Sequence, residues 1–312
     1  MKIPSRDCGL VVNFHVTEAC NYGCTHCFAK WARSGHGVFS RPEVGRSVVQ
    51  QVIWYFDAHG IPAHRLRLNF VGGEPGLLPG IGDLLEWSAQ QGVSVSYVTN
   101  GLMLDKFDAD WTSATIDVIG LSVDSGYAHT NLLVGRRDAA MNVPDLARLL
   151  AAVEEARASA ASTRAAMRKP LQVKLNTVVS RHNASEDLNE VVAAFAPDRW
   201  KVLRVLPVFE TIESITDAQF DAFVRRHQQH RDVMVVEDND HMIGSYIMVN
   251  PRSQLFWTEP GHRGYRYSAP ITEVGADVAF KGLRIDWPKY RRRYPRVDRE
   301  RTAVAATEVS PA

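Results

Sequence analysis

The chain has 312 residues, 45% hydrophobic and 23% charged, which suits an ordinary globular protein of one large domain or two smaller ones. Its formal net charge of +1 excludes a molecule-wide field seeking polyanions, so any basic function must be local. Four cysteines, three of them clustered, exclude a secreted disulfide framework; with no signal-peptide core in residues 1–7 and no apolar run of about 18 residues, a soluble, cytoplasmic protein is expected.

Residues 10–17 read as a strand. Val12, Phe14 and Val16 fall on one side and Asn13, His15 and Thr17 on the other, because side chains alternate along a strand. It runs into Cys20-Asn21-Tyr22-Gly23-Cys24-Thr25-His26-Cys27, a C-x3-C-x2-C spacing. A disulfide here would leave one sulfur over. A tetrahedral zinc would need a fourth ligand, which His26 or His15 could offer. An iron–sulfur cluster held by three thiolates leaves one iron open to a substrate or cofactor. Cys8 stands apart and reads as a small thiol with no ligand role.

Ser40-Arg41-Pro42-Glu43 then has the form of a capping box with Pro42 in the first turn. A stripe of Val44, Val48, Val49, Val52, Ile53 and Phe56 predicts a helix, ended by Gly60 and Pro62. The second strand, 65–71, sets Leu66, Leu68 and Phe70 against Arg67 and Asn69, and Gly72-Gly73-Glu74-Pro75 follows it. A helix over 81–91 precedes a third strand, 93–99, which ends in Asn100-Gly101. The fourth strand, 118–124, sets Ile119, Leu121 and Val123 against Gly120, Ser122 and Asp124; residues 125–142 read as loop. A helix over 144–158 leads to a fifth strand, 171–179, with Leu171, Val173 and Leu175 opposite Gln172, Lys174 and Asn176. Helices over 187–194 and 217–227 flank a sixth strand, 200–208.

Such alternation predicts a parallel sheet covered by helices. Strands of a flat doubly wound sheet are apolar on both faces, yet four of these keep one polar face. A closed or partly closed barrel accounts for that, with apolar faces toward outer helices and polar faces toward a lumen. Active groups then collect at the C-terminal strand ends, where the cysteine loop, Gly72 to Pro75, Asn100 and Asp124 all fall. The fold class is α/β: a partial (β/α)6 barrel over 1–227, a C-terminal extension over 228–301 and a disordered tail over 302–312. The extension carries short strands at 246–250 and 255–257 and a basic stretch at 284–301.

The cysteine spacing resembles that of radical S-adenosylmethionine (SAM) enzymes, in which a [4Fe-4S] cluster offers its open iron to the amino and carboxylate groups of SAM. The resemblance implies Cys20, Cys24 and Cys27 as cluster ligands, Gly72, Gly73 and Glu74 beside the SAM amino group, and Asn100, Ser122 and Asn176 at its carboxylate and ribose. It also implies a one-electron reductant of flavodoxin or ferredoxin type. Independently, Arg67, Lys174 and Lys201 are cations on lumen faces. Each alone would read as solvent-facing. Three together need partners, and few lumen carboxylates are visible beyond Glu74 and Asp124. A nucleoside triphosphate would satisfy them, with Arg199 and the basic C-terminal stretch adding to the site.

At this point the chain resembles the viperin family, most closely its prokaryotic members. The carrying segments are Val12-Asn13-Phe14-His15, Cys20-Asn21-Tyr22, Asn69-Phe70-Val71-Gly72-Gly73-Glu74-Pro75, Lys174-Leu175-Asn176-Thr177-Val178-Val179, Arg199-Trp200-Lys201-Val202 and Ser245-Tyr246. The resemblance implies dehydration of a ribonucleoside triphosphate to its 3′-deoxy-3′,4′-didehydro form, a chain terminator in antiviral defence. It implies nucleotide contacts from Asn13, Arg67, Lys174, Arg199, Lys201 and Tyr246. Arg67 replaces a family lysine and keeps its charge; His26 stands where relatives carry phenylalanine, and the animal proteins' N-terminal membrane helix has no counterpart. Tyr246 matches a tyrosine associated with cytosine, making CTP the first choice and GTP or UTP the alternatives. Arg263, Arg266 or the run Arg291, Arg292 and Arg293 would close over the triphosphate or else form a solvated tail. A monomer without membrane or nucleic-acid partners is expected. Two rivals stand beside this reading: a radical SAM enzyme acting on another phosphorylated substrate or a peptide, and a zinc-stabilised nucleic-acid-binding protein.

Overall fold

The computed structural model describes residues 9–27, 37–102, 104–163, 170–206, 214–262 and 264–294. Cys8, Arg263 and the tail at 302–312 lie outside them. The strands are β1 (Leu10–Thr17), β2 (Leu66–Gly72), β3 (Ser94–Thr99), β4 (Val118–Ser122), β5 (Gln172–Val179), β6 (Arg199–Arg204), β7 (Met234–Glu237), β8 (Ile247–Val249), β9 (Gln254–Trp257) and β10 (Arg266–Pro270). The helices are α1 (Pro42–Ala58), α2 (Ile81–Gln90), α3 (Ala109–Thr115), α4 (Ala128–Leu133), α5 (Leu146–Thr163), α6 (Asn189–Phe195), α7 (Asp217–Arg226), α8 (Asn239–Met242), α9 (Ile271–Lys281) and α10 (Trp287–Arg293).

Among the described residues the strands form one sheet in the order β10-β9-β8-β1-β2-β3-β4-β5-β6-β7. Every pair from β8 through β1 to β7 is parallel; β9 and β10 add antiparallel strands beyond β8. The edges β7 and β10 do not pair, so the barrel is partial. It has more staves than the six expected, because β7 extends it past β6 and β8 joins it beside β1. The apolar faces meet helices: Phe14 stacks on Phe70 across β1 and β2 at 5.8 Å and takes the edge of Phe39 at 6.1 Å. Further out, Tyr55 of α1 stacks on Phe280 of α9 at 4.1 Å. Truncating a wholly buried ring such as Phe70 costs about 3–5 kcal/mol, so this outer layer fixes the staves that carry the site.

Two local expectations are corrected, and the basic stretch gains a helix. The capping box at Ser40 does not form, because the cap position of α1 is Arg41 and the Ser40 hydroxyl donates back to the Gly37 carbonyl at 2.8 Å. Residues 125–142 contain α4 instead of continuous loop. The basic stretch contains α10, whose N-cap Asp286 accepts from the Lys289 amide at 3.0 Å. Among the described residues no helix is long and apolar enough to cross a membrane.

Candidate active site

The lumen encloses a cavity of about 630 Å³, a size typical of small-molecule sites. Its wall runs from Cys20, Cys24 and Cys27 past Gly72, Gly73, Asn100, Ser122 and Asn176 to Asn13, Arg67, Lys174, Arg199, Lys201 and Tyr246. Of the residues singled out from the sequence, Glu74 does not line it.

The reason lies at the mouth. The Gly73 amide donates to the Thr17 carbonyl at 2.7 Å and the Glu74 amide to the Ala19 carbonyl at 2.8 Å, binding the turn after β2 to the start of the cysteine loop. A Cβ on Gly72 would strike the Thr17 carbonyl and one on Gly73 the Ala19 carbonyl. The two glycines are thus required by chain meeting chain, whatever they do for a ligand. The wholly buried Glu74 carboxylate accepts from the Gly76 amide (3.0 Å), the Tyr97 hydroxyl (3.2 Å), the Thr99 hydroxyl (2.9 Å) and the Asn100 amide (2.8 Å). These donors occupy its lone pairs. Glu74 therefore ties the turn to the end of β3. Asn100 is also engaged: its Nδ2 donates to Asn21 Oδ1 at 2.7 Å, bracing the cysteine loop.

A strap on the far side of the loop was missed in the sequence. The Gly23 amide donates to the Gly135 carbonyl and the Thr25 amide to the Val134 carbonyl, both at 3.0 Å. Arg136 lies over the Tyr22 ring at 5.6 Å and donates to Asp124 Oδ2 at 3.1 Å and to the Ser122 carbonyl at 2.5 Å. His26 Nε2 stands 3.4 Å from the same Asp124 oxygen. Burial would raise the Asp124 carboxyl, but Arg136 and His26 hold it down to about 2. His26 thereby turns its Nε2 to Asp124. His15, which lines the cavity, packs against the Phe256 edge at 5.2 Å and burial drives its pKa down to about 3, keeping the ring neutral.

The donor set, three free thiols lining one cavity, suits a cluster held by three thiolates. No disulfide joins Cys20, Cys24 and Cys27. Burial pushes the Cys24 thiol up to about 12 and the Cys20 thiol upward as well, so these sulfurs keep their protons until a metal displaces them. Among the described residues no three His, Cys, Asp or Glu side chains are grouped to hold a metal ion. The thiols instead rim a cavity mouth, an arrangement suited to a larger group held at its corners.

Cations gather deeper in the lumen. Lys174 has no carboxylate or hydrogen-bond partner among the described residues, and burial together with Lys201, Arg67 and Arg199 holds its pKa well below the ordinary lysine value. Arg67 Nε and Arg199 Nε are buried without partners. Gly120 leaves the space Lys174 crosses: a Cβ there would come within 3.1 Å of Lys174 Cε and 2.8 Å of Val98 Cγ2. Lys201 departs from the expectation of a cation awaiting a ligand, since its Nζ meets Glu237 Oε1 at 2.7 Å. Glu237 Oε2 takes Arg293 Nη2 and the Tyr246 hydroxyl, each at 3.0 Å. Arg293 lies 3.7 Å over the Tyr246 ring. Burial opposes the Glu237 charge, but Lys201 and Arg293 hold its carboxyl down to about 2. Of the arginines expected to close over a triphosphate, Arg291 and Arg292 are exposed, Arg266 pairs with Glu259 at 3.3 Å, and Arg293 is buried behind Tyr246. Glu237 had one sequence signal, an acid ending the apolar run Val233 to Val236.

The chain matches the model of the Radical SAM superfamily over residues 14–191. It is 34% identical over 293 residues to an S-adenosylmethionine-dependent nucleotide dehydratase of Pseudoalteromonas ulvae, covering 91% of this chain and 92% of that protein. It is 35% identical over 295 residues to one of Psychrobacter lutiphocae, covering 92% and 95%. In fold it resembles native anSMEcpe with bound AdoMet, with a TM-score of 0.60 at 15% identity over 91% of this chain and 82% of that one.

Proposed function

The chain belongs to the Radical SAM superfamily and, within it, to the S-adenosylmethionine-dependent nucleotide dehydratases, and on that footing we propose that it removes water from a ribonucleoside triphosphate to give the 3′-deoxy-3′,4′-didehydro nucleotide. Its cofactors are a [4Fe-4S] cluster and SAM. When bound, they supply a 5′-deoxyadenosyl radical able to take the ribose 4′ hydrogen. Entry of one electron and one proton, with the 3′ hydroxyl leaving as water, then completes the double bond.

The chain's own part is to bind, orient and exclude water. Cys20, Cys24 and Cys27 hold the cluster; Gly72, Gly73, Asn100, Ser122 and Asn176 surround SAM. Arg67, Lys174 and Arg199 take the triphosphate, with Asn13, Lys201 and Tyr246 at the rest of the nucleotide. The observation that supports this most is the convergence of Lys174, Arg67 and Arg199, none of them ion-paired to a carboxylate among the described residues, in the same cavity that the cysteines line; Arg199 Nη2 donates to the Arg293 carbonyl at 2.8 Å, but its Nε and that of Arg67 are buried without partners. A bound triphosphate would supply the missing negative charge at low dielectric cost. We further propose residues 1–227 as the six-stave core of the barrel and 228–301 as an extension that adds β7 and β8 to it and closes over the nucleotide. The reading includes CTP as first choice, a flavodoxin or ferredoxin type of reductant, a cytoplasmic monomer, and an antiviral role for the product as a chain terminator.

The test is anaerobic incubation of cluster-reconstituted protein with SAM, dithionite and each ribonucleoside triphosphate in turn. One triphosphate should yield 5′-deoxyadenosine together with a product lighter by one water. If none raises 5′-deoxyadenosine above the level without nucleotide, the reading is wrong.

A further inference from the structure

The pairing of β1, β2 and β3 sets Asn13, Asn69 and Ser96 side by side across three staves. Asn13 Nδ2 donates to the Ile247 carbonyl at 3.1 Å. An amide oxygen could not sit against that carbonyl, so the orientation of the Asn13 amide is fixed by its partner. Its Oδ1 must then face Asn69, and it accepts from Asn69 Nδ2 at 2.7 Å. The chain of constraint ends at Asn69 Oδ1, an acceptor whose orientation is set two bonds away by backbone. That oxygen is buried and has no partner among the described residues, although Asn69 lines the cavity and is 8% exposed. A buried acceptor left unpaired is costly, so its retention needs an account.

Its level in the lumen narrows what could pair with it. Arg67, Asn69 and Val71 share one face of β2 and all line the cavity. Two residues of strand span roughly 7 Å, so Asn69 stands about that far above Arg67 and, three residues before Gly72, about 10 Å below the glycine turn at the mouth. With phosphates below and SAM above, the sugar of the nucleotide lies at its height. An acceptor serves a hydroxyl that stays, since one bound to the departing 3′ hydroxyl would oppose the proton that hydroxyl needs. Resting on the reading of the site given above, we propose that Asn69 reads the 2′ hydroxyl of the substrate ribose and is the residue that selects ribonucleotides over 2′-deoxyribonucleotides.

The experiment compares 5′-deoxyadenosine and dehydrated product formed from the preferred ribonucleoside triphosphate and from its 2′-deoxy counterpart, in the wild type and in Asn69→Leu. The wild type should favour the ribonucleotide by about tenfold to a hundredfold in kcat/KM, the range expected when one buried acceptor is left unpaired. In Asn69→Leu the preference should fall to within about threefold, through loss on the ribonucleotide and no further loss on the deoxynucleotide. An unchanged preference overturns the proposal. So does a variant whose SAM affinity falls while the preference stays, since Asn69 would then face the cofactor's ribose. If Asn69→Leu does not fold, equilibrium binding of the two nucleotides to wild-type holoenzyme decides, and equal affinities overturn the proposal. Failure of the wild type to turn over any ribonucleotide would count against the dehydratase reading; normal turnover with no 2′ preference counts against Asn69 alone.

Discussion

Lys174 and Lys201 show how two lysines on adjacent staves can differ in what they have left to offer. Lys201 is neutralised at 2.7 Å by Glu237, whereas Lys174 reaches the lumen through the space left by Gly120. The sequence places both as lumen cations, and both line the cavity. The sequence does not show that Glu237 answers one of them, because an acid on a four-residue strand carries no mark of the face it takes. The difference predicts unequal substitutions. Gly120→Val would push against Lys174 Cε and Val98, costing about 1–3 kcal/mol of stability by overpacking and raising the nucleotide KM roughly tenfold by displacing the ammonium group. Lys174→Met should cost a comparable factor in KM. Because both act through one ammonium, the double variant should lose little more than either single one. Additive losses in a double-mutant cycle would show that Gly120 matters for some other reason.

At the scale of elements, the cysteine loop is held from two sides by parts that have no sulfur and no obvious motif. The turn after β2 grips its start through Thr17 and Ala19, and the segment following α4 grips its middle through Gly23 and Thr25. The first grip lay close to legible, since Gly-Gly-Glu-Pro stands out as a turn. The second did not, because residues 125–142 hold only a six-residue helix, and the left-handed Gly135 looks like any loop glycine until its neighbour is known. A Cβ on Gly135 would strike the Gly23 carbonyl, and its φ of 75° disfavours other residues. Gly135→Val should therefore loosen the loop while leaving the staves intact. The expected result is a reconstituted protein with far-ultraviolet circular dichroism like the wild type and iron per chain lowered at least twofold. Full iron content at normal stability would mean that the loop needs no strap.

Across the whole molecule, the alternation of polar and apolar strand faces sufficed to anticipate a partial barrel with its site at the C-terminal strand ends. How the barrel's seam is closed was not legible, because it depends on contacts between segments remote in sequence. Strands β7 and β8 do not pair with each other. Side chains bridge them: Glu237 of β7 takes Tyr246, just before β8, and Arg293 of α10, while the Tyr290 hydroxyl of α10 donates to the Val11 carbonyl of β1 at 3.0 Å. The basic stretch, which from sequence would close over the triphosphate or else form a solvated tail, is in this part a structural closure. Its charge has a consequence for acid stability. The Glu237 carboxyl, ordinarily at 4.5, is held to about 2 in the fold by Lys201 and Arg293 against its burial, and Asp124 falls from 3.8 to about 2. A depressed carboxyl stabilises the fold fully above its unfolded pKa and ceases to do so as pH drops through the folded value. In urea midpoints, the part supplied by Glu237 and Asp124 should thus be lost between about pH 4.5 and 2, on top of the decline below about pH 6.5 that comes from the His15 ring being kept neutral by burial. Glu237→Gln leaves Lys201 and Arg293 without their shared anion, and should be less stable at pH 7 by about 3 kcal/mol. Because the wild type loses that same advantage on protonation, the two curves should converge toward pH 2. Parallel curves over the whole range would place the seam's strength in packing and not in this ion cluster.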